Sequence, residues 1–284
     1  MVRLKEICYV RLGTRDLDST SAFATKILGL QPAGVTRTER YFRSDSRSHT
    51  LYYFYGDPGD QVVGFEVADC TSLDDAGAEL ERLGHPFRRG TRAECESRRV
   101  GDFIQFKEPN GTSIDMVVRP ELSGDRYYGT RDAGIASFSH IGLFTRNPVS
   151  DEIFWTGTCG ARVSDRIGNI PLLRISAIHH TLALLPAQRS GVQHINYQVV
   201  STDDIMRSVS VLKQHCVPIV FGPGCHPTSS ARFLYFEGPD GMIFEYSVGV
   251  SEINEEHYRE RQFSFEPTSL CMWGSKTTAS ELQL

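Results

Sequence analysis

Two segments of the chain share an alternating pattern of apolar and polar residues that is interrupted once, near its middle. They are FIQFKEPNGTSIDMVV at residues 103–118 and FLYFEGPDGMIFEYSV at residues 233–248. A period of two is typical of strands with one buried face, and a central Pro-x-Gly is typical of a turn. Each segment therefore predicts a β-hairpin, and the constant offset between the two predicts an internal repeat.

The repeat extends upstream of the hairpins and also occurs within each half of the chain. In ICYVRLGTRDLDSTSAFATKILGL and FSHIGLFTRNPVSDEIFWTGTCGA, a strand pattern leads through a polar turn into a helix pattern. A second strand and helix follow from VVGFEVAD and from HINYQVVS, where we expect Asp74 with Asp75, and Asp203 with Asp204, to cap the helices. The pattern predicts an α+β protein of four βαβββ modules, two in each domain.

Two domains also agree with the length of the chain, which has 284 residues. We place the N-terminal domain at residues 1–132 and the C-terminal domain at residues 133–284, with the boundary in the polar stretch 124–134. A segment rich in charged residues, serine and threonine follows the last module. We interpret it as a C-terminal arm that begins at about residue 250.

The bulk composition excludes several classes of function. The formal net charge is −5 with both signs mixed along the chain, so no basic stripe favours nucleic acid or a membrane surface. No apolar run approaches the roughly 18 to 20 residues of a membrane span, and no signal-like segment precedes the first strand. Seven scattered cysteines without a Cys-x-x-Cys pair argue against disulfides or a thiolate zinc site. We therefore expect a cytoplasmic protein with reduced thiols.

The two halves differ at three aligned strand positions. At these positions the C-terminal half places two imidazoles and a carboxylate, His140, His194 and Glu245. The N-terminal half has Tyr9, Val62 and Asp115. Two neutral imidazoles and a carboxylate can occupy one face of an octahedral metal, which suits Fe(II) that must also accept an organic substrate and dioxygen. Each residue alone could be structural, as a packed histidine or a solvated glutamate. Their matching repeat positions favour a metal site.

Other polar residues could face the same cavity. His179 and His180 occupy adjacent strand positions in SAIHHTLAL, so one of them points into the cavity in either register. His226 lies in a loop rich in glycine and proline, and Tyr235 lies on the strand paired with that of Glu245. Both could equally be ordinary surface or strand residues. The remaining histidines lack partners in this scheme and are interpreted as surface or packing residues, namely His49, His85, His215 and His257.

One stretch, GCHPTSSARFLYFEGPDGMIFE, resembles the signature of type I extradiol ring-cleavage dioxygenases of the vicinal oxygen chelate superfamily. The signature positions present here are Gly224, His226, Leu234, Tyr235, Pro239, Gly241 and Glu245. Gly238 departs from the pattern, which has a small acidic, amide or similar residue there, and we expect altered loop geometry without a lost ligand. The resemblance covers roughly residues 5 to 250.

The resemblance implies a curved open barrel in each domain and a metal centre in the C-terminal one. Fe(II), in preference to Mn(II), would be held by His140, His194 and Glu245. His180 matches the family's acid/base, whereas His226 and Tyr235 match groups that hydrogen-bond the bound catecholate. The residues implied to line the ring-substituent side of the pocket are Gly142, Ala183 and Leu184.

Small residues at 142 and 183 leave room for a bulky group on the substrate, so the resemblance implies cleavage of an aryl- or alkyl-substituted catechol. Both atoms of O2 would enter the product, as in the degradation of aromatic compounds. We also expect a homo-oligomer. Two other functions stay open on the same fold: a glyoxalase-like isomerase or lyase, which normally uses two carboxylates, and a metal-free protein that sequesters an aromatic compound.

Overall fold

Two mixed β-sheets follow one another along the chain in a computed structural model that describes residues 2–283. The first sheet contains β1 (Leu4–Thr14), β2 (Gln31–Val35), β3 (Glu39–Arg43), β4 (Leu51–Tyr55), β5 (Gln61–Val67), β6 (Phe87–Arg89), β7 (Asp102–Lys107) and β8 (Ser113–Val118). The second contains β9 (Ile135–Thr145), β10 (Arg162–Ile167), β11 (Ile170–Arg174), β12 (Leu182–Pro186), β13 (Val192–Val199), β14 (Ile219–Cys225), β15 (Arg232–Glu237), β16 (Ile243–Val248) and β17 (Arg261–Phe263). The α-helices are α1 (Leu17–Lys26), α2 (Cys70–Arg82), α3 (Arg92–Arg98), α4 (Pro148–Gly157), α5 (Thr202–Gln214) and α6 (Pro267–Leu270). Short 3-10 turns span Pro239–Gly241 and Ser280–Leu282.

Each sheet joins two βαβββ modules side by side. The strand orders are β2-β3-β4-β1-β5-β8-β7-β6 and β14-β15-β16-β13-β9-β12-β11-β10-β17. The first strands of the two modules pair antiparallel at the centre of each sheet. The last strand of every module pairs parallel with its first strand. The predicted α+β fold of paired modules is therefore confirmed, with β17 as an addition from the C-terminal arm.

The Pro-x-Gly segments form the predicted hairpins, β7 with β8 and β15 with β16. Gly111 and Gly241 have φ of 100° and 73° in these turns, a backbone conformation that favours glycine. Gly238 opens the second turn, and a Cβ there would lie 2.5 Å from the Phe244 ring and 3.1 Å from the Phe23 ring. The departure from the family signature at Gly238 thus makes room for two packed aromatic rings.

Side-chain caps fix the helix starts, and one predicted cap is wrong. Helix α2 begins at Cys70 because the carboxylate of Asp69 accepts a hydrogen bond from the backbone N–H of Ser72 at 2.8 Å. Asp74 and Asp75 therefore lie inside that helix. Helix α5 begins after Ser201, whose side chain and that of Asp204 exchange hydrogen bonds with each other's backbone, so the acidic pair there lies in the first turn.

The two sheets share one continuous core of buried apolar side chains. Hydrogen bonds also cross between the halves: the hydroxyl of Tyr246 donates to the carbonyl of Leu28 at 2.7 Å, and the N–H of Val192 donates to Gln61 Oε1 at 2.8 Å. The division at residue 132 stays a prediction.

Within residues 2–283, no helix combines the length and the apolar character needed to cross a bilayer. All seven cysteines are free.

The C-terminal arm returns to the second sheet after β16. Strand β17 pairs in parallel with β10 at the sheet edge. Further along, Leu270 of the arm belongs to the same buried apolar cluster as Phe221, and Leu282 packs against that cluster. The arm therefore covers the face of the sheet that carries the predicted metal ligands.

Candidate metal centre

Strand register brings the three predicted ligands to one point. Strand β13 lies between β9 and β16, and Asn196 of β13 is paired with His140 on one side and with Glu245 on the other. His194 precedes Asn196 by two residues, and residues two apart on a strand face the same side. The side chains of His140, His194 and Glu245 therefore share one face of three adjacent strands.

These side chains are buried, and their polar atoms converge. His140 Nε2 lies 2.9 Å and His194 Nε2 lies 3.5 Å from Glu245 Oε2. One potential ligand atom of each residue lies within 4.8 Å of the others. None of these three atoms makes a hydrogen bond of acceptable geometry within the described part of the chain. Leaving one buried polar atom unpaired costs about 1 to 3 kcal/mol, so three together indicate a missing common partner. A divalent cation fits this set of donors.

The protonation states also suit a cation. Burial lowers the pKa of His194 to about 3, so its imidazole is neutral at physiological pH. Burial alone would raise the pKa of Glu245, but the neighbouring imidazoles of His140 and His194 outweigh it and lower that pKa to about 2. Metals bind neutral imidazole and ionised carboxylate, so the site offers its donors in the required forms.

The structure corrects the predicted position of the histidine pair. His179 and His180 lie in the bend before β12 and not on a strand, and both are buried. The His180 ring packs on that of His140 with centroids 4.3 Å apart. Its Nδ1 lies 3.0 Å from His179 Nδ1, and His179 Nε2 lies 2.8 Å from Asp165 Oδ2. His180 therefore faces the metal position, whereas His179 connects it to a buried carboxylate.

This connection assigns the proton on His180. Asp165 also accepts hydrogen bonds from Tyr258 at 2.9 Å and from Arg261 at 2.6 Å. Burial would raise the pKa of Asp165, but hydrogen bonds from His179 and Arg261 lower it, so Asp165 is an anion and only accepts. In the tautomer in which His179 donates from Nε2 to this anion, its Nδ1 is the acceptor. His180 consequently carries its proton on Nδ1 and presents an unprotonated Nε2.

His226 and Tyr235 form a second pair beside the ligands. His226 follows β14, and its Nδ1 donates to the carbonyl of Leu270 at 2.8 Å. Its Nε2 is therefore the acceptor for the hydroxyl of Tyr235 at 3.2 Å. Tyr235 lies opposite Glu245 in the β15–β16 pairing, and burial raises its pKa well above the usual value. The pair presents a neutral hydroxyl and a neutral imidazole to the space in front of the ligands.

A cavity of about 60 Å³ opens between these groups. His180, His194, His226 and Tyr235 all line it. The apolar lining is formed by Ile167, Ile170, Leu172, Ala183, Leu185, Phe221, Leu270 and Leu282. Most of the cavity wall is thus aliphatic or aromatic, which suits an apolar ring.

Two of the three predicted pocket residues lie elsewhere. Ala183 lines the cavity, but Leu184 is its neighbour on β12 and points to the opposite face, where it is buried in the main core. Gly142 lies behind His194, and a Cβ there would collide with His194 Nδ1. The small residue at 142 therefore makes room for the side chain of His194 and not for a substrate substituent.

Comparison with known proteins places this geometry in a family. Residues 6–116 and 137–246 each match the model of the Glyoxalase/Bleomycin resistance protein/Dioxygenase superfamily. The chain belongs to this superfamily. The two matched segments correspond to the two sheets, so the superfamily domain occurs twice.

Two relatives within the superfamily are extradiol dioxygenases. The chain is 24% identical to an iron-dependent extradiol dioxygenase of Rhodococcus jostii (strain RHA1), over 95% of this chain and 96% of the relative. It is 30% identical to a manganese-dependent 2,3-dihydroxybiphenyl 1,2-dioxygenase of Geobacillus genomosp. 3, over 81% of this chain and 80% of the relative. The predicted resemblance to extradiol dioxygenases is thus confirmed at the level of the family.

A solved structure of the superfamily superimposes over the whole chain. The Mn(II)-bound glyoxalase from Novosphingobium aromaticivorans is 26% identical and gives a TM-score of 0.89, over 100% of this chain and 95% of that chain. This likeness agrees with the fold described above and shows that one scaffold of the superfamily is associated with more than one activity.

The sequence did not predict the residues that orient His179 and His180 beside the candidate ligands. Asp165 and Arg261 lie far from the motif, and only the fold brings them to His179. His49 could have identified the position of His180. It lies 131 residues before His180, and the strand pairings have the same offset, because Leu51 pairs with Val10 and Leu182 pairs with Ile141. Aligning RSHTLYYFY with IHHTLALLP would have shown that His180 is the position shared by both halves, and that His179 is specific to one.

Proposed function

We propose that the chain is an Fe(II)-dependent extradiol dioxygenase that opens the ring of a substituted catechol beside its two hydroxyl groups. Both atoms of O2 enter the product, as in the degradation of aromatic compounds. The observation that carries the proposal is the convergence of three buried polar atoms, from His140, His194 and Glu245, that have no hydrogen-bond partner within residues 2–283 and lie next to His180 at an apolar cavity.

His140, His194 and Glu245 would hold the metal. Bound there, Fe(II) would supply the Lewis acidity that binds both oxygens of a catechol and the redox chemistry that activates dioxygen. Two nitrogen donors and one oxygen donor suit Mn(II) as well, and both metals occur in the names of the relatives. Our preference for iron follows from the donor set, because two histidines and one carboxylate that leave positions open are typical of non-haem Fe(II) oxygenases.

His180 would be the proton acceptor for the substrate. Its unprotonated Nε2 is the result of the hydrogen bonds through His179 to Asp165. Burial lowers its pKa well below the usual value, so it is neutral before substrate arrives. A catechol hydroxyl that donates to Nε2 transfers its proton there, and His180 can return that proton later in the reaction.

His226 and Tyr235 would orient the catechol oxygens. Because Tyr235 donates its hydroxyl proton to His226 Nε2, the lone pairs of its oxygen stay available for a substrate hydroxyl. The backbone carbonyl of Leu270 fixes the imidazole of His226 from behind. The two side chains therefore act together, and losing either one affects how the substrate is held.

The cavity wall supports a preference for an apolar ring substituent. A cavity that accepts a benzene ring measures roughly 150 Å³, whereas the cavity here measures about 60 Å³. An adjoining groove of about 370 Å³ shares Phe221, Leu270 and Leu282 with it. Displacement of these apolar side chains would join the two spaces, and an aryl or alkyl substituent would extend from the ring into the groove.

The proposal is tested on protein purified without oxygen and reconstituted with Fe(II) or Mn(II). Catechol, 3-methylcatechol and 2,3-dihydroxybiphenyl are added in turn, and oxygen uptake is measured together with the yellow ring-fission product. We expect uptake of one O2 per ring and faster turnover of the substituted compounds. A metal-loaded protein without oxygen uptake on any catechol would favour the isomerase or lyase alternative. Light scattering on the same preparation tests the predicted homo-oligomer.

A further inference from the structure

Gln193 and Glu281 form a hydrogen-bonded chain behind the predicted ligand His194. Gln193 Nε2 donates to Glu281 Oε1 at 2.6 Å, and Gln193 Oε1 lies in hydrogen-bond contact with His194 Nδ1. An ionised carboxylate only accepts, so this contact assigns the amide nitrogen of Gln193 to Glu281 and its oxygen to His194. His194 therefore carries its proton on Nδ1 and keeps the lone pair of Nε2 that a metal requires.

The backbone is arranged so that neighbouring side chains can make this contact. Residues adjacent on a strand normally face opposite sides, but the pairing of β13 with β9 shifts register between Val192 and His194. Such a bulge redirects a side chain. Gly142 lies opposite, and a Cβ there would lie 2.9 Å from Gln193 Oε1. The glycine thus leaves the space in which the amide meets the imidazole.

The C-terminal arm delivers Glu281 to this place. The backbone N–H of Met272 donates to the carbonyl of Cys225, and that of Thr278 donates to the carbonyl of Val220, both at 2.9 Å. Next to Glu281, the side chain of Leu282 lines the cavity. The end of the arm is therefore attached to the wall of the site, with an acidic residue turned toward its ligands.

The N-terminal half shows that a glutamine at this position does not require such a partner. Gln61 is aligned with Gln193, but its Oε1 accepts from the backbone N–H of Val192 at 2.8 Å. Val62, the next residue, takes the position of His194 and needs no hydrogen bond. The contact with an arm carboxylate thus occurs in the half that has an imidazole to orient.

We propose that Glu281 is a positioning residue for His194 that acts through Gln193, so that the C-terminal arm completes the metal centre. This inference rests on the proposed role of His194 as a ligand. The charge of Glu281 polarises the amide of Gln193 and makes its oxygen a stronger acceptor for His194 Nδ1. That hydrogen bond holds the ring and increases its strength as a donor to a metal.

Mn(II) binding to the metal-free protein, measured by calorimetry, tests the inference without reference to turnover. Glu281→Ala should weaken Mn(II) binding about 10-fold, at the lower end of the range for partners of metal-bound histidines. Glu281→Gln keeps an acceptor for Gln193 and should lose less. Glu256→Gln removes a charge from an exposed position of the same arm and is the matched control, with unchanged affinity.

A double-variant cycle separates positioning from a general effect of the arm. Gln193→Leu should weaken Mn(II) binding at least as much as Glu281→Ala, and the double variant should bind no more weakly than Gln193→Leu alone, because the carboxylate acts through the amide. Unchanged affinity in Glu281→Ala, or losses that multiply in the double variant, would overturn the inference. A wild-type protein that does not bind Mn(II) would overturn the metal centre as well. Glu281→Gln keeps the shape of the side chain. If the alanine variant releases the arm, the Mn(II) affinity of Glu281→Gln is compared with that of the wild type instead, and an unchanged affinity would overturn the inference.

Discussion

The centres of the two sheets use the same strands in the same register, but they compensate a buried carboxylate differently. In the N-terminal sheet, Asp115 accepts hydrogen bonds from Arg98 at 2.6 Å and from Tyr9 at 2.8 Å. In the C-terminal sheet, Glu245 occupies the equivalent position and, among residues 2–283, lies close to the imidazoles of His140, His194 and His226 but to no guanidinium or ammonium group. A buried carboxylate requires a counter-charge. A guanidinium supplies it in one half, and a bound divalent cation would supply it in the other.

The aligned histidines His49 and His180 are both buried, but their hydrogen-bond partners differ. His49 stacks on Tyr9 with ring centroids 5.2 Å apart, much as His180 packs on His140. Among the residues that the structure describes, however, the side-chain contact of His49 Nδ1 is with the hydroxyl of Ser48 at 3.2 Å. Ser48 is aligned with His179 and Gly34 with Asp165, as the strand pairings show. The scaffold thus retains a buried histidine in both halves, and the connection to a carboxylate is present in one.

Removing the carboxylate of Glu245 should have the largest effect. Glu245→Gln places a neutral amide at the metal position, so we expect loss of metal and a fall in kcat on the order of 10³-fold or more, the scale of several kcal/mol of Lewis-acid stabilisation. Metal analysis after reconstitution should find one equivalent in the wild type. Asp115→Asn is the matched variant and should keep that equivalent. Two equivalents in the wild type would contradict a single centre.

Replacing the aligned histidines should separate proton transfer from packing. His180→Gln should retain most metal and substrate binding but lower kcat by roughly 10² to 10⁴, the usual cost of removing a general acid/base. His49→Gln should leave kcat of the folded enzyme unchanged, because its ring faces tyrosines of the other sheet. Steady-state kinetics and metal content measured on both variants check this. Loss of metal in His180→Gln would mean that His180 is itself a ligand.

Breaking the ion pair of the N-terminal centre should affect stability and not chemistry. Arg98→Met removes the guanidinium from the buried Asp115 and should lower the free energy of unfolding by about 3 kcal/mol, as expected for one partner of a buried pair. The loss should lie at the low end because Tyr9 and Gln105 still donate to that carboxylate. Urea unfolding measures the change. Loss of metal in this variant would show that the two centres are coupled.

Sequence patterns predicted the modules and the convergence of the three candidate ligands, because both follow from strand alternation and the internal repeat. Alternation, turn residues and the repeat placed the hairpins, and the register of His140, His194 and Glu245 followed from alignment of the two halves. The start of α2 was wrong because two acidic residues inside the helix resemble a cap, whereas Asp69 provides it. Such errors arise where several residues could satisfy the same local rule.

The orienting contacts could not be predicted, because they join residues that are distant in sequence and have no periodic pattern. Asp165 and Arg261 are 96 residues apart, and Gln193 and Glu281 are 88 apart. Both connections depend on the path of the C-terminal arm across the sheet, and the composition of the arm indicates only that it is polar. Leu184 was assigned to the pocket by analogy, although strand alternation next to Ala183 already argued against both facing one side.

The smallest expected effect concerns the pH dependence of stability, and it again separates the two halves. Burial among tyrosines, with Arg99 and Arg47 nearby, lowers the pKa of His49 to about 3. In the unfolded chain the pKa is about 6.5, so between these values the unfolded state binds the extra proton. The stability contribution of neutral His49 is therefore complete above about pH 6.5 and is lost progressively as the pH falls toward 3. Between pH 7 and 5.5, wild type should lose about 1 kcal/mol more than His49→Gln. Urea unfolding of the metal-free proteins at both pH values measures the difference. Equal losses in the two proteins would mean that His49 is protonated in the folded state, and that the N-terminal centre is more open to water than its packing indicates.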